Sequence, residues 1–500
     1  MQIKPFIIIL LLNFSMFRGI AQERDLKAEY EAFRNQARKE YNDFRDKANA
    51  EYADFMRRAW QWYQASPAIP APKVPDQPKP PVTIPDDEIE KIPENRPVPY
   101  SEVIPAPVVI EQPKPVAPVP EAPQPDESRF NFTVFGTACN VRLSDQNRFS
   151  LKDCDENTIA ELWQRLSRSE YNNLIRDCLE LRIRLNLCDW AYLEMLQQLA
   201  GSFFGKDSNE AALLTAFLYS QSGYKMRLAR SETNRLYLLV ASRHLIYSMG
   251  YFNLGDDNLY PLNCKEYYGL YICNITFPGE QDLSLDIGKE QRFATEATAP
   301  RELISRRYPN LQVTLSSNKN LMDFFNTYPQ SQINNDGTTK WQFYANTPLS
   351  RQVQETLYPA LKEDIKGKSE QNAANMLINF VQTAFEYKED EKVWGDDRPF
   401  FADETIYYPF SDCEDRAILF SRLVRDLMGL KVVLVYYPGH LATAVQFNED
   451  ISGDYLLVHD ARYLICDPTY IGATIGKTMP GMDNDKATVV FLEQAAPDNS

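Results

Sequence analysis

YYPFSDCEDRAILFSRLVRDLMGLKVVLVYYPGH, residues 407–440, decides how the last third of the chain folds. Ser411 and Asp412 are residues that cap helix starts, and the apolar positions that follow recur at helical spacing, which predicts a helix that begins at Cys413. Gly429 is placed to end that helix. The run KVVLVYY then predicts a strand that leads through a Pro-Gly turn to His440.

A cysteine in the first turn of a helix meets the positive end of the helix dipole, which lowers the thiol pKa and favours the thiolate. A nucleophilic thiol also needs a base, and the base needs an acceptor that orients it. His440, one of three histidines, opens a strand, and Asp467 follows the strand RYLIC. The sequence therefore predicts a catalytic triad of Cys413, His440 and Asp467. Singly, each has an ordinary interpretation, because most cysteines are buried structural residues and Asp-Pro is a common turn.

Attack on an amide carbonyl also requires donors for the developing oxyanion. The backbone N–H of Cys413 is one expected donor. For the second we expect Gln382, in the predicted helix EQNAANMLINFVQTAFEY, or else Trp394, whose indole N–H can only donate. The alternative for Gln382 is a solvated helix residue.

The segments SDCEDRAILFSRLVRDLMGLKVVLV, PGHLATAV and YLICDPTY together resemble the transglutaminase-like core, over residues 370–480. The resemblance implies a papain-like fold, with Cys413 as nucleophile, His440 as base and then acid, and Asp467 as orienter. It implies a cysteine protease, amidase or acyltransferase. Ser411 stands where that family commonly has glycine, and Leu441 where a small residue is frequent.

Composition excludes several classes of protein. The net charge is −16, which argues against nucleic acid as a partner. No two histidines or cysteines have metal-ligand spacing, so we expect no metal and no cofactor. Eight cysteines are too few for a disulfide scaffold, and we expect Cys413 and Cys466 to be free thiols. Residues 1–21 have the pattern of a cleavable signal peptide, which predicts a secreted or periplasmic protein without a membrane span. Association with the cell surface is compatible with this prediction.

Two segments precede the folded part. Residues 22–66 carry three copies of an 11-residue unit that begins Glu-Tyr, which predicts an amphipathic helix that either is solvated or serves self-association or docking. Residues 67–128 are dense in proline, which predicts an extended linker without helix or sheet. On that interpretation, deletion of residues 23–125 leaves the core folded.

The remaining chain predicts an α+β fold in two parts: a mixed domain over 129–335, and a core over 336–500 in which the cysteine helix packs on an antiparallel sheet. Residues 211–229 faintly echo residues 417–435 at an offset of 206, which sets Asp207 opposite Cys413 and Asn234 opposite His440. A coincidence of two common helix-turn-strand units is the favoured interpretation, and a degenerate, inactive copy is the alternative.

These features favour an exported thiol hydrolase or acyltransferase that acts on peptide or isopeptide amides. The alternatives are a surface or periplasmic scaffold that binds a partner without turnover, and a cell-wall peptide hydrolase. The sequence leaves open which acceptor, water or amine, completes the reaction.

Overall fold

The computed structural model describes residues 36, 39–40, 43–72, 78–107, 113–116, 119, 128–262, 268–333 and 336–493. The predicted signal peptide and the start of the repeat helix lie outside these residues. The described chain combines helices with mainly antiparallel sheets, which confirms the α+β class. None of its helices is both long enough and apolar enough to span a bilayer.

The C-terminal unit is built on a seven-stranded sheet. Its strands lie in the order Arg96–Pro97, Asp454–Val458, Ala461–Cys466, His440–Gln446, Lys431–Tyr437, Thr488–Phe491 and Glu102–Ile104. The five central strands pair antiparallel, and the two short outer strands run parallel to their neighbours. One face of this sheet forms its own apolar cluster, which includes Val433, Val435, Ala444, Leu456 and Ile465.

The helix Cys413–Met428 packs against the two middle strands of that sheet. Asp412 caps it by accepting hydrogen bonds from the amides of Glu414 and Asp415, and Gly429 ends it with φ of 66°. Both predicted bounds are thereby confirmed. The other helices of the unit are Lys340–Asn346, Arg351–Ile365, Glu370–Thr383, Asp390–Val393 and Ala402–Tyr407, with a small parallel pair of strands, Glu386–Tyr387 and Phe410–Ser411.

The middle unit is built on a six-stranded antiparallel sheet. Its strands lie in the order Trp60–Gln64, Gly269–Cys273, Met226–Arg230, Leu236–Ala241, Asp257–Pro261 and Phe252–Leu254. Its helices are Glu156–Leu166, Asn172–Arg184, Asp189–Phe204, Asn209–Gln221 and Lys319–Phe325. Three strand pairs flank them: Arg129–Val134 with Thr137–Arg142, Arg301–Ile304 with Gln312–Leu315, and Leu245–Ile246 with Ser331–Gln332.

The two sheets have the same connectivity. In each, a helix leads into two antiparallel strands, a hairpin adds two strands beyond the second, and a last strand pairs beside the first. The five corresponding pairs are 226–230 with 431–437, 236–241 with 440–446, 252–254 with 454–458, 257–261 with 461–466, and 269–273 with 488–491. The weak sequence echo therefore marks a repeated architecture, and coincidence is no longer the better interpretation.

Hydrogen bonds correct the residue equivalences that the echo predicts. In the C-terminal unit the Leu441 amide is a hydrogen-bond donor to the Cys413 thiol. In the middle unit the Leu236 amide donates to Asn209 Oδ1 over 2.9 Å. Asn209, the first residue of its helix, thus corresponds to Cys413, and Arg235 corresponds to His440. The constant offset of 206 missed both, because the helix has 13 residues in the middle unit and 16 in the C-terminal unit, and the turn between the strands is longer in the middle unit.

The proline-rich segment is not the free linker that its composition predicts. Arg96–Pro97 pairs with one edge of the C-terminal sheet and Glu102–Ile104 with the other. Pro97 and Glu102 are joined by a chain that reaches at most roughly 18 Å, at about 3.6 Å per residue. A flat seven-stranded sheet would separate its edges by roughly 29 Å. The sheet is therefore rolled, and this segment closes it.

The middle sheet is closed in the same manner by the segment that follows the N-terminal helix. Trp60–Gln64 pairs with Gly269–Cys273 at one edge, and Ser66 pairs with Tyr251 beside the strand at the opposite edge. The sequence had predicted helix up to residue 66. A strand forms instead because the open sheet edge supplies hydrogen-bond partners that the isolated segment lacks.

The N-terminal helix, described over residues 43–56, docks on its own chain. Tyr52 is buried, with its ring 4.9 Å from that of Trp163 and 5.0 Å from that of Phe277. Asn49 is also buried and accepts a hydrogen bond from Trp163 Nε1. One face of the repeat thus belongs to the core of the middle unit, which differs from the expected docking to a separate partner.

Candidate active site

Cys413 lies at the first position of its helix and is fully buried. Arg416, buried one turn later, holds the surrounding chain by donating to Ser411 Oγ and to the carbonyl oxygens of Gln382 and Phe385. The start of the helix is therefore tied to the end of the helix Glu370–Thr383. All seven described cysteines are unpaired, Cys413 and Cys466 among them.

The surroundings of Cys413 disfavour the thiolate that the sequence predicts. Burial, followed by the nearby carboxyls of Asp412 and Glu414, raises the pKa of Cys413 well above its ordinary value. The Leu441 amide acts in the opposite direction as a hydrogen-bond donor. The helix dipole amounts to about half a charge at the helix end. It is outweighed by burial first, and then by the carboxyls of Asp412 and Glu414 at the start of this helix.

His440 and Asp467 form the pair that the sequence predicts. His440 Nε2 lies 2.9 Å from Asp467 Oδ2, and both side chains are buried. Asp467 Oδ1 accepts from the amides of Thr469 and Tyr470, which fixes the carboxylate. Gly439, with φ of 87°, makes the two-residue turn that places His440 at the start of its strand.

The other ring nitrogen of His440, Nδ1, is buried and has no hydrogen-bond partner among the described residues. No hydrogen bond joins it to the Cys413 thiol in the part of the chain that the structure describes. The thiol instead meets the amide of Leu441, the next residue after His440. The structure thus brings Cys413 beside the His440 strand and leaves the basic nitrogen available.

Gln382 is buried, but it does not lie where an oxyanion donor is needed. Its Nε2 lies 2.7 Å from the Tyr470 carbonyl oxygen and 3.2 Å from those of Asp467 and Ala473. Its Oε1 accepts from the amide of Gly472. The side chain is therefore committed to the loop that carries Asp467, and it is a positioning residue, neither of the roles that the sequence predicts.

Trp394, the second predicted donor, is 37% exposed. Its ring contacts those of Phe400 and Tyr408, and Arg398 lies over it at 4.5 Å. These contacts belong to an aromatic patch at the surface, and they do not bring the indole N–H to Cys413.

Sequence reasoning missed Tyr387. Its strand pairs Tyr387 with Ser411, two residues before the cysteine, and its buried hydroxyl has no hydrogen-bond partner among the described residues. Burial raises the pKa of Tyr387 far above the ordinary value, and a thiolate at Cys413 would raise it further. A buried hydroxyl without a partner needs an explanation, and one on a strand paired beside the cysteine is available to donate to a ligand. The sequence signal is weak, because the pairing involves two strands of two residues each.

Carboxyls gather on the far side of the cysteine. Those of Asp390, Asp397 and Glu414 lie within 4.8 Å of one another, as do the ligand atoms of Asp412, Cys413 and Glu414. Burial raises the pKa of Asp390 to about 9 and that of Asp412 to about 7. Lys340 is buried among them and pairs with Asp397. These oxygens could hold a hard cation, but the lysine already supplies one positive charge to the cluster.

The proline-rich segment also runs past the pair. The Lys79 amide donates to the Gly439 carbonyl oxygen over 2.8 Å, and Val82 and Ile84 bond to Ile471. The segment thus touches both the turn before His440 and the loop after Asp467.

No protein-family model, curated protein or solved structure matches this chain.

Proposed function

We propose that this protein is an exported thiol enzyme that cleaves or transfers the acyl group of peptide or isopeptide amides. The observation that carries the proposal is that His440 lies 2.9 Å from Asp467 and that the amide of the next residue, Leu441, is a hydrogen-bond donor to the Cys413 thiol. The resemblance to the transglutaminase-like core supports it. Export rests on the sequence of residues 1–21 alone.

In the proposed reaction the thiol proton passes to Nδ1 of His440 as the sulfur attacks the acyl carbon. The new C–S bond forms while the carbonyl π electrons move to oxygen. Asp467, bound at Nε2, stabilises the imidazolium and holds the ring in place. Collapse of the tetrahedral intermediate expels the amine, which takes the proton from His440, and a thioester remains on Cys413. Water or a second amine then attacks the thioester by the same steps.

The backbone N–H of Cys413 and the hydroxyl of Tyr387 are the donors we assign to the oxyanion. The raised pKa of Cys413 fits a neutral thiol at rest, with the proton transferred only as substrate arrives. Because Cys413 and His440 are both fully buried, substrate must displace part of the cover above them.

The same burial favours a second function, a binding scaffold without turnover. A thiol whose pKa is raised by burial and by two neighbouring carboxyls is a poor nucleophile at neutral pH. In a scaffold, Cys413 is a core residue and the His440–Asp467 pair serves to join two strands.

Acyl transfer from p-nitrophenyl acetate separates the two functions. The full chain is treated with the ester, and acetylation is located by peptide mass mapping. We expect a transient acetyl group on Cys413, lost in Cys413→Ala and strongly slowed in His440→Ala, with Tm nearly unchanged. Cys466→Ala removes an equally buried thiol, from the sheet on which the Cys413 helix packs, and is the matched control. If Cys413 is not acetylated, or if His440→Ala does not slow its acetylation, the enzyme proposal fails and the binding scaffold is the remaining function.

A further inference from the structure

The repeated architecture has an open cavity where the C-terminal unit has its buried triad. A cavity of about 560 Å³ is lined by Ser208, which caps the helix Asn209–Gln221, by Arg235 and Leu236 at the start of the second strand, and by Leu262 at the end of the fourth. Ser208 holds the place of Asp412, the cap just before Cys413, while Arg235 and Leu236 hold those of His440 and Leu441, and Leu262 holds that of Cys466. The residue that would correspond to Asp467 lies outside the described chain.

The chemistry of the triad is absent from this cavity. Asn209 corresponds to Cys413, and its side-chain amide is occupied, since Oδ1 accepts from Leu236 and Nδ2 donates to the Asn234 carbonyl oxygen. Arg235 corresponds to His440 and cannot act as a base at neutral pH. The cavity therefore has neither nucleophile nor base at the corresponding positions, and its volume falls in the range of roughly 300–1,000 Å³ typical of ligand sites.

The cavity carries opposite charges that the protein does not neutralise. Glu194 projects from the helix Asp189–Phe204 and has no hydrogen bond or ion pair among the described residues. Burial alone raises the pKa of this carboxyl to about 7. Lys206 and Arg235 are exposed at the opening, and within the described residues neither side chain forms an ion pair. Asp207 also lines the opening, beside Lys206.

A carboxyl within the cavity, and an opening where two cations, Lys206 and Arg235, outnumber the carboxylate of Asp207, complement a ligand with a positive group at one end and a negative group at the other. The amides of Gln197 and Gln198, which lie between them on the wall, offer donors and acceptors to a peptide backbone. We propose that the middle unit binds short peptides with free termini in this cavity, with the ammonium group at Glu194 and the carboxylate at Lys206 and Arg235. This does not depend on catalysis at Cys413.

Isothermal titration of the full chain with trialanine tests the proposal, because alanine side chains are small enough to avoid steric selection. We expect binding to wild type and to Cys413→Ala alike. Acetylation of the peptide amine, amidation of its carboxylate, and the Glu194→Gln substitution should each weaken binding by about tenfold or more, since each leaves a charged group without its partner.

Glu161→Gln, at an exposed carboxyl of the helix Glu156–Leu166, is the matched control and should bind as wild type does. Thermal unfolding of each variant checks that it is folded. Absence of trialanine binding to wild type would overturn the proposal, and so would equal binding of the blocked peptides or of Glu194→Gln. Loss of acylation at Cys413 with trialanine binding intact would count against the proposed enzyme only.

Discussion

At the scale of single residues, hydrogen bonding separates the roles of Gln382 and Tyr387. Gln382 has the chemistry of a donor, but four backbone groups of the Asp467 loop occupy its amide. The sequence assigns no role to Tyr387, but its hydroxyl is buried without a partner in the described chain. What decides the role of a polar side chain is therefore which of its hydrogen bonds remain unmade.

Tyr387→Phe should lower the rate of Cys413 acetylation by about 10²–10³-fold, the usual cost of one oxyanion donor. Unfolding temperature should hardly change, because the hydroxyl makes no hydrogen bond within the described residues. Stopped-flow release of p-nitrophenol measures the rate.

Tyr219→Phe is the control for Tyr387→Phe. Tyr219 also has a buried hydroxyl without a partner among the described residues, but it lies on the helix Asn209–Gln221 of the middle unit. We expect this variant to keep the wild-type rate. If Tyr387→Phe is acetylated at the wild-type rate, the Tyr387 hydroxyl is not the oxyanion donor and another group must bind the oxyanion.

At the scale of elements, two short strands form in a proline-rich segment whose composition predicts neither helix nor sheet. Arg96–Pro97 and Glu102–Ile104 use the few backbone donors between prolines, and the amides of Val98 and Ser101 bond to Tyr455 and Ala487. Val98 and Ile104 turn their side chains into the core. The segment thus contributes both hydrogen bonds and buried apolar surface.

Ile104→Ala should lower the free energy of unfolding by about 2–4 kcal/mol, the cost of emptying a buried isoleucine site. Glu102→Gln, at an exposed position of the same strand, should leave it unchanged. Urea denaturation of both variants measures the difference. If Ile104→Ala is as stable as wild type, the segment behaves as a free linker. Residues 23–125 should then be removable without loss of folding, as the sequence predicts.

At the scale of the whole molecule, several buried carboxyls make stability fall as pH rises. Burial raises the pKa of Asp403 to about 6 and that of Glu404 to about 7, and Asp412 behaves in the same way. Between pH 4 and pH 7 the folded protein keeps protons that the unfolded chain has lost. Unfolding therefore becomes progressively easier over this range.

We expect a higher Tm at pH 5 than at pH 8, measured by scanning calorimetry at constant ionic strength. Asp403→Asn should reduce the difference between the two values, because it removes one of the titrating groups while keeping an acceptor for the Ser350 amide. A Tm that rises from pH 5 to pH 8 would show that the charged forms of these carboxyls are the stabilised ones.

The sequence predicts what is local. The bounds of the cysteine helix follow from caps and spacing, and the approach of His440 to Asp467 follows from strands joined by short turns. Burial and long-range pairing are not local. The raised pKa of Cys413 depends first on its burial by elements distant in the sequence, and the closure of the seven-stranded sheet depends on two residue pairs at one edge and three at the other, with no sequence pattern of their own.

The closing segment also constrains the order in which the molecule can be assembled. Ser101 and Ala487, which it brings together, are 386 positions apart. A chain made from its amino end exposes this segment long before the strand Thr488–Phe491 exists. During that wait an ordinary strand would pair with whatever edge it met. Proline lacks the backbone N–H that strand pairing needs, and it recurs every few positions in this segment. The composition that makes the segment look like a linker therefore also limits its pairing with other strands until its partner strand is synthesised.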